Sequence, residues 1–546
     1  MTLLGTVIST LEGPSTKQFA FVVSNPQVRK GQYVLVEGGE EGGLIAVVKD
    51  LLRANRYFER AESVSEYNKR SMPPAVSIGV GVAGVGATQA SASQPSSQAG
   101  APAGIQGFLQ SLPVNEWEYV VADCMTLGAL KKNSLSRSAY PPSPGAKVSL
   151  VEPNSLKEFL GFGDDGLHLG RLLQHEVEAK VDVSRLLQKH LAILGISGSG
   201  KSYFTSVLLE ELLARKKGAG SPAVVVFDVH GEYVSFADKH RNPSFAEKTT
   251  VVKGNDVKIA FHKLPIEALM ELVPDMSSTQ ARELEKIIFG LKKEMKDKGE
   301  KAYDLKDLMD AVAAEPSLAK KENVRGPLLS WLSRLRKLKL FSRADNPSLR
   351  DIVLPGKMVV FDLSELTDQK KKQVILAYFA QKLFKQRRKG LLPPFVLFVE
   401  EAHNFCKERA AKGGAISKGI IETIAREGRK FGACLCLISQ RPVQLSTTAL
   451  SQCNSYAIFK ISNPYDLDHI QQSCEAIDRE IVGEITLLKT GEGILLGEAV
   501  NQPAFIKVRM RKSAKAARAE TLEQMAKDFE DLSARTATAD DVEQFI

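Results

Sequence analysis

The segment from His190 to Arg215 constrains this chain more than any other. It runs His-Leu-Ala-Ile-Leu into Gly195-Ile-Ser-Gly-Ser-Gly-Lys201-Ser202, and then into the helix-forming stretch Tyr203 to Arg215. An apolar strand that passes through G-x-x-x-x-G-K-S straight into a helix builds a phosphate cradle. Glycines at 195, 198 and 200 let the backbone turn tightly with its amides pointing inward. The helix offers its positive N-terminal end, Lys201 reaches the β- and γ-phosphates, and the Ser202 hydroxyl ligates Mg²⁺. The cradle is therefore Gly195, Ser197, Gly198, Ser199, Gly200, Lys201 and Ser202, and the ligand is ATP with Mg²⁺.

A cradle of this kind belongs to an α/β core, and the sequence around it has that pattern. From Gly170 onward, apolar β-branched strands alternate with amphipathic helices, the signature of a mainly parallel sheet covered on both faces. The strands expected are 191–195, 224–228, 358–363, 395–400, 433–439, 456–461 and 493–496. A helical insertion at about 264–345 interrupts the alternation and reads as a cap packed on the sheet. Upstream, short strands separated by Gly, Pro, Asn and Glu clusters suggest a small β-barrel or sandwich over 1–170. A Gly/Ala/Ser/Gln-rich stretch at 73–113 reads as a disordered insertion that interrupts the barrel. The core then spans 171–510, followed by a Lys/Arg/Ala-rich helical tail at 511–546 that must dock elsewhere or stay mobile.

With 546 residues, 43% of them hydrophobic, the chain can bury a large core in two or three domains. No secretory N-terminus is present, and the longest weakly polar run, 74–87, is too short and glycine-rich to span a bilayer. A cytoplasmic location without membrane contact is expected. The six cysteines form no C-x-x-C pair and read as reduced core thiols. A net charge of +9 fits a nucleic-acid partner.

Hydrolysis needs a carboxylate near the metal and a base to orient water. The wholly apolar run Phe395–Val399 ends in Glu400-Glu401-Ala-His403, which supplies both: Glu400 for the Mg²⁺ shell and Glu401 for the attacking water. A second acidic strand tip, Asp228 in Phe-Asp-Val-His-Gly-Glu-Tyr233, could anchor the metal instead. Gln440 follows the strand 433–439 and either senses the γ-phosphate through that water or serves the turn before Pro442. Arg426 and Arg429 stand three apart just before the same strand, and arginine is suited to neutralising a transferring phosphoryl group. Between the acids and the arginines, Lys407, Arg409, Lys412 and Lys418 surround a glycine pair, a basic loop able to grip phosphates without reading sequence.

Together, residues 185–202, 227–233, 399–403, 424–432 and 439–442 resemble the HerA family of DNA translocases, relatives of the FtsK motors among RecA-like P-loop ATPases. The N-terminal strands look like the HAS-barrel that precedes the motor in that family. The resemblance implies a homohexameric ring that hydrolyses ATP between subunits and threads DNA through its centre. It also implies a NurA-type nuclease partner in archaeal DNA end resection and double-strand-break repair. Carried over by position, Lys201 is the phosphate lysine, Glu401 the catalytic glutamate and Arg429 the finger that enters a neighbour's site, with Arg426 beside it. Lys189, expected among the nucleotide-binding residues, stands where the family commonly has an arginine; it keeps the charge and loses the fork that a phosphate-sensing or intersubunit role would use. Two other readings are a motor for polypeptide transfer and a nucleotide-dependent scaffold for a nuclease.

Overall fold

The computed structural model describes residues 2–10, 13–37, 43–55, 118–131, 134–136, 139–216, 218–264, 266–273, 275–297, 301–409, 416–514 and 523–527. The chain divides into two compact units, Met1–Leu156 and Lys157–Ile546. The stretch 73–113, Lys412 and most of the tail lie outside the described residues.

In the first unit, β1 (Leu3–Ile8), β2 (Gln18–Val23), β3 (Tyr33–Val36), β4 (Gly43–Asn55), β5 (Glu118–Lys131), β6 (Ser134–Ser136) and β7 (Lys147–Leu150) form one antiparallel sheet. Its order is β2-β1-β7-β3-β4-β5-β6, and β5 pairs with β2 as well as with β4. That extra pairing closes six strands into a barrel, which removes the exposed edges a small open sheet would carry. Alternate residues point inward: Phe19 and Phe21, Val34 and Val36, and Leu44, Ala46 and Val48 meet in one apolar core. The strand that follows the interruption is thus the one that completes the barrel.

The second unit is built on an eleven-stranded sheet. Its strands are β8 (Leu167–Leu172), β9 (Glu178–Val181), β10 (Leu191–Leu194), β11 (Ala223–Asp228), β12 (Thr249–Lys253), β15 (Met358–Asp362), β16 (Phe395–Val399), β17 (Ala433–Ser439), β18 (Ser455–Phe459), β19 (Glu492–Gly497) and β20 (Ala504–Val508). The short pair β13 (Ile259–Ala260) and β14 (Phe341–Ser342) stands apart. The order is β12-β15-β11-β16-β17-β10-β18-β19-β20-β8-β9. The seven strands from β12 to β18 are parallel, and the rest add an antiparallel flank. Because β8 hydrogen-bonds to β20 in this sheet, residues 157–170 belong with the motor, although sequence grouped them with the barrel. The strand β12 was not anticipated: Thr249–Lys253 is a sheet edge, and its mixed Thr, Val and Lys pattern carries a weak apolar signal.

Three helices frame the site: α1 (Lys201–Ala214) after β10, α2 (Gln369–Arg388) before β16, and α3 (Lys418–Glu427) before β17. The strands β10, β11 and β16 are buried along their whole length, as expected for parallel strands covered on both faces. The helical insertion includes Ser278–Asp297, Leu305–Ala314 and Glu322–Lys337. Its Leu284, Leu308, Leu328 and Leu332 share one apolar core with the sheet, so it packs as a cap.

Candidate nucleotide site

Parallel strands bring their C-terminal ends to one edge, and this sheet gathers the chemistry there. The loop Gly195–Gly200 leaves β10 and enters α1. At Gly195 a Cβ would lie 2.8 Å from both the Phe459 Cβ and the Ser199 Oγ, so only glycine fits. Gly200 takes φ +113 at the helix cap, a conformation that L side chains avoid. The Lys201 ammonium is buried and donates to the Ile196 carbonyl at 2.8 Å, holding the loop in shape. Burial lowers its pKa, while Glu401, Glu232 and Glu400 oppose that shift by their charge.

The neighbouring strand tips supply the acids. Asp228, fully buried at the end of β11, accepts from four backbone amides: His230 at 3.3 Å, Gly231 at 2.8 Å and Glu232 at 3.1 Å through Oδ1, and Tyr233 at 2.8 Å through Oδ2. It therefore folds the following loop around itself. Glu400, 3% exposed at the end of β16, accepts from Val229 N at 2.7 Å and His230 N at 3.2 Å through Oε2. It also hydrogen-bonds to Asp228, and burial together with that negative neighbour drives its pKa well above the usual carboxylate range. Burial raises the pKa of Asp228 as well, against the pull of the amides that it accepts from.

Glu401 has a different environment. Its backbone takes φ +48, rare for a non-glycine residue, and this turn swings the side chain out of the strand direction. Its Oε1 lies 3.5 Å from His230 Nε2. Its Oε2 lies 3.2 Å from His403 Nδ1 without forming a hydrogen bond. Gln440, at the tip of β17, hydrogen-bonds to the same carboxylate. Burial raises the Glu401 pKa, and His230 and Lys201 pull it back. His403 is buried beside Ser439 Oγ at 3.1 Å, and desolvation pushes it to about 4, so the ring is neutral.

The structure thus gathers Lys201, Asp228, Glu400, Glu401 and Gln440 around one cradle. Sequence reasoning left out Glu232, His230 and His403. Their signal was present: a second acid four residues after Asp228 across a glycine turn, and histidines inside both acidic motifs. The donor set fits a magnesium ion carried by a triphosphate. The Ser202 hydroxyl has no hydrogen-bond partner among the described residues, and buried oxygens of Glu232 and Glu401 are likewise unpaired.

Other candidates stand apart. Lys189 precedes β10 rather than following it, and its ammonium pairs with Glu498, so it does not join this chain's cradle. Arg426 and Arg429 are exposed at the opposite end of β17 from Gln440. The strand has seven residues, which sets a separation of roughly 23 Å. Neither arginine side chain has a hydrogen-bond or ion-pair partner among the described residues. Lys407 is half-buried and Arg409 exposed, whereas Lys418 is held by the Glu408 carbonyl at 3.1 Å and Glu422 at 3.7 Å.

A family model described as "Helicase HerA, central domain" matches residues 167–383. The chain is 30% identical over 421 residues to "Probable helicase MJ1565" of Methanocaldococcus jannaschii, covering 72% of this chain and 77% of that protein. It is 28% identical over 460 residues to "DNA double-strand break repair helicase HerA" of Pyrococcus furiosus, covering 74% and 80%. Among solved structures, VirB4 of Thermoanaerobacter pseudethanolicus aligns at a TM-score of 0.49 and 16% identity, over 65% of this chain and 98% of that one.

Proposed function

The chain belongs to the HerA helicase family, and from that premise we propose that it is an ATP-driven DNA translocase that hydrolyses ATP between the subunits of a homohexameric ring. One observation carries this reading beyond a generic ATPase. The cradle, Glu401 and Gln440 form half a hydrolysis site, while unpartnered Arg426 and Arg429 project from the far end of the same strand. Arginines at the far end of a strand roughly 23 Å long point away from their own cradle and suit a neighbour's.

In this mechanism the loop amides and Lys201 bind and align the β- and γ-phosphates. Glu401 accepts the proton of the attacking water, held at the right angle by Gln440 and His230. Burial raises its pKa, which makes it a better proton acceptor than an ordinary glutamate, while His230 and Lys201 pull the pKa back. Bound Mg²⁺ supplies charge neutralisation on the phosphate oxygens. Arg429 of one subunit stabilises the charge developing in the next subunit's site, with Arg426 beside it.

DNA as the cargo is supported by the names of the relatives, by the net charge of +9 and by the basic segment with Lys407 and Arg409. A NurA-type nuclease partner and a role in end resection belong to the same proposal, supported by a relative named for double-strand break repair. No helix among the described residues is long and apolar enough to cross a membrane. The test is ATPase turnover with and without duplex DNA, on protein whose mass has been measured. A hexamer stimulated by DNA is expected; a DNA-indifferent ATPase would overturn the translocase reading.

A further inference from the structure

We infer that His190 is the positioning residue for the arginine pair: its ring fastens the turn that carries Arg426 and Arg429 to the strand that leads into the phosphate loop. The inference rests on the reading of those arginines as donors to a neighbour's site, and concerns what holds them in register. Both side chains are exposed and make no hydrogen bond or ion pair among the described residues. Their aim therefore depends on the backbone beneath them. His190 stands immediately before β10, is 2% exposed and takes φ +66. A non-glycine residue in that region is strained, and persists only where its surroundings fix it. Here the left-handed backbone sends the ring across to β17 and to the end of α3.

Both ring nitrogens are engaged, and the pattern fixes the proton. The Leu435 amide donates to Nδ1 at 2.9 Å, so Nδ1 carries the lone pair. The proton is then on Nε2, which donates to the Ala425 carbonyl at 3.0 Å. Burial lowers the pKa of the ring to about 4 and keeps it in this neutral form. Ala425 precedes Arg426 in the last turn of α3, where carbonyls run out of intrahelical partners. The histidine thus grips the arginine helix one residue from the first arginine.

Two further contacts close the turn. At Gly428 a Cβ would lie 2.2 Å from the Ala433 carbonyl oxygen, so glycine is needed where the chain doubles back onto β17. From α2, Arg387 Nε donates to the Phe431 carbonyl at 2.6 Å. These contacts hold the turn to β17 and α2, and His190 holds it to β10. That strand has four residues, all buried, so roughly 13 Å of packed backbone joins the histidine to the phosphate loop. The cradle that a subunit keeps and the arginines that it offers its neighbour are thereby set in one rigid piece.

The test uses the full-length protein and two substitutions that each keep half of the ring's bonding. His190→Gln puts an amide donor where Nε2 stood and keeps hold of Ala425. His190→Asn puts an acceptor where Nδ1 stood, keeps Leu435 and lets Ala425 go. Each loses one buried hydrogen bond, so a role in stability alone would cost both alike. ATP turnover should fall about 10- to 100-fold in His190→Asn with KM within about twofold, and stay within about threefold of wild type in His190→Gln. Adding His190→Asn to Arg429→Ala should cost nothing more, because the arginine through which it acts is already gone. Mixing His190→Asn subunits with Lys201→Ala subunits should restore part of the rate, since an intact cradle then meets a well-placed arginine. Wild-type turnover in His190→Asn, equal losses in the two variants, a further loss in the double variant or no recovery on mixing would overturn the assignment. Wild-type turnover in Arg429→Ala would instead overturn the arginine reading beneath it.

Discussion

Glu400 and Glu401 are adjacent and chemically identical, and the fold gives them different environments. The Val229 and His230 amides hold Glu400 in the wall. A left-handed backbone turns Glu401 toward Gln440 and His230. Glu401→Gln should therefore cut ATP turnover by about 10²–10⁴ while nucleotide binding survives, as measured by steady-state hydrolysis and equilibrium titration. The pH profile has a definite sign. Burial raises the Glu401 pKa, and the base must be ionised, so turnover should fall with decreasing pH at a higher pH than an ordinary glutamate would give. An acid limb at the usual glutamate pKa would count against Glu401 as the base.

At the scale of elements, β17 and α3 do two jobs. One end of β17 carries Gln440 to this chain's cradle, and the other receives α3 with Arg426 and Arg429. His190, at φ +66 and buried, ties these ends to the phosphate-loop strand: its ring bonds the Ala425 carbonyl at 3.0 Å through Nε2 and accepts from Leu435 N at 2.9 Å. Arg429→Ala should lower turnover by about 10³ or more with nucleotide affinity retained. The decisive measurement mixes Arg429→Ala subunits with Lys201→Ala subunits. Co-assembly should recover part of the lost rate, since an intact cradle then meets an intact arginine; a rate no greater than the sum of the parts would show that the arginine does not act in trans.

Two scales meet in the buried histidines of the motor unit. Desolvation lowers both His190 and His403 to about 4. An unfolded chain takes up these protons near 6.5, before the folded one does. The folded state is therefore fully favoured above that value and loses stability as pH falls from 6.5 toward 4. The loss is about 3 kcal/mol per histidine over the window, to be read from denaturant midpoints at successive pH values. For the whole molecule, DNA binding should weaken steeply with salt and show little sequence preference. Arg409→Ala should reduce the salt slope by about 0.9 for a lost phosphate contact. Lys418→Ala should leave it unchanged, because that ammonium is already held by Glu408 and Glu422.

What could be read from sequence follows from what is local. The phosphate loop, the apolar strands ending in acids and the alternation of strand and helix are short-range patterns, and the loop's geometry depends on glycines that only one conformation explains. The edge strand β12, the membership of β8 in the motor sheet and the free oxygen of Glu232 were not legible. Each depends on partners far along the chain: β15 for β12, β20 for β8, and Glu400 for the loop that carries Glu232. The same holds for Lys189, which sequence assigned to the nucleotide and tertiary structure assigns to Glu498 at the opposite end of the strand. Residue type and spacing determined that this chain has acids, a lysine and arginines suited to phosphoryl transfer. Which acid is walled in, which is turned out of the strand, and at which end of β17 the arginines stand were decided only by hydrogen bonds and strand register closing across hundreds of residues.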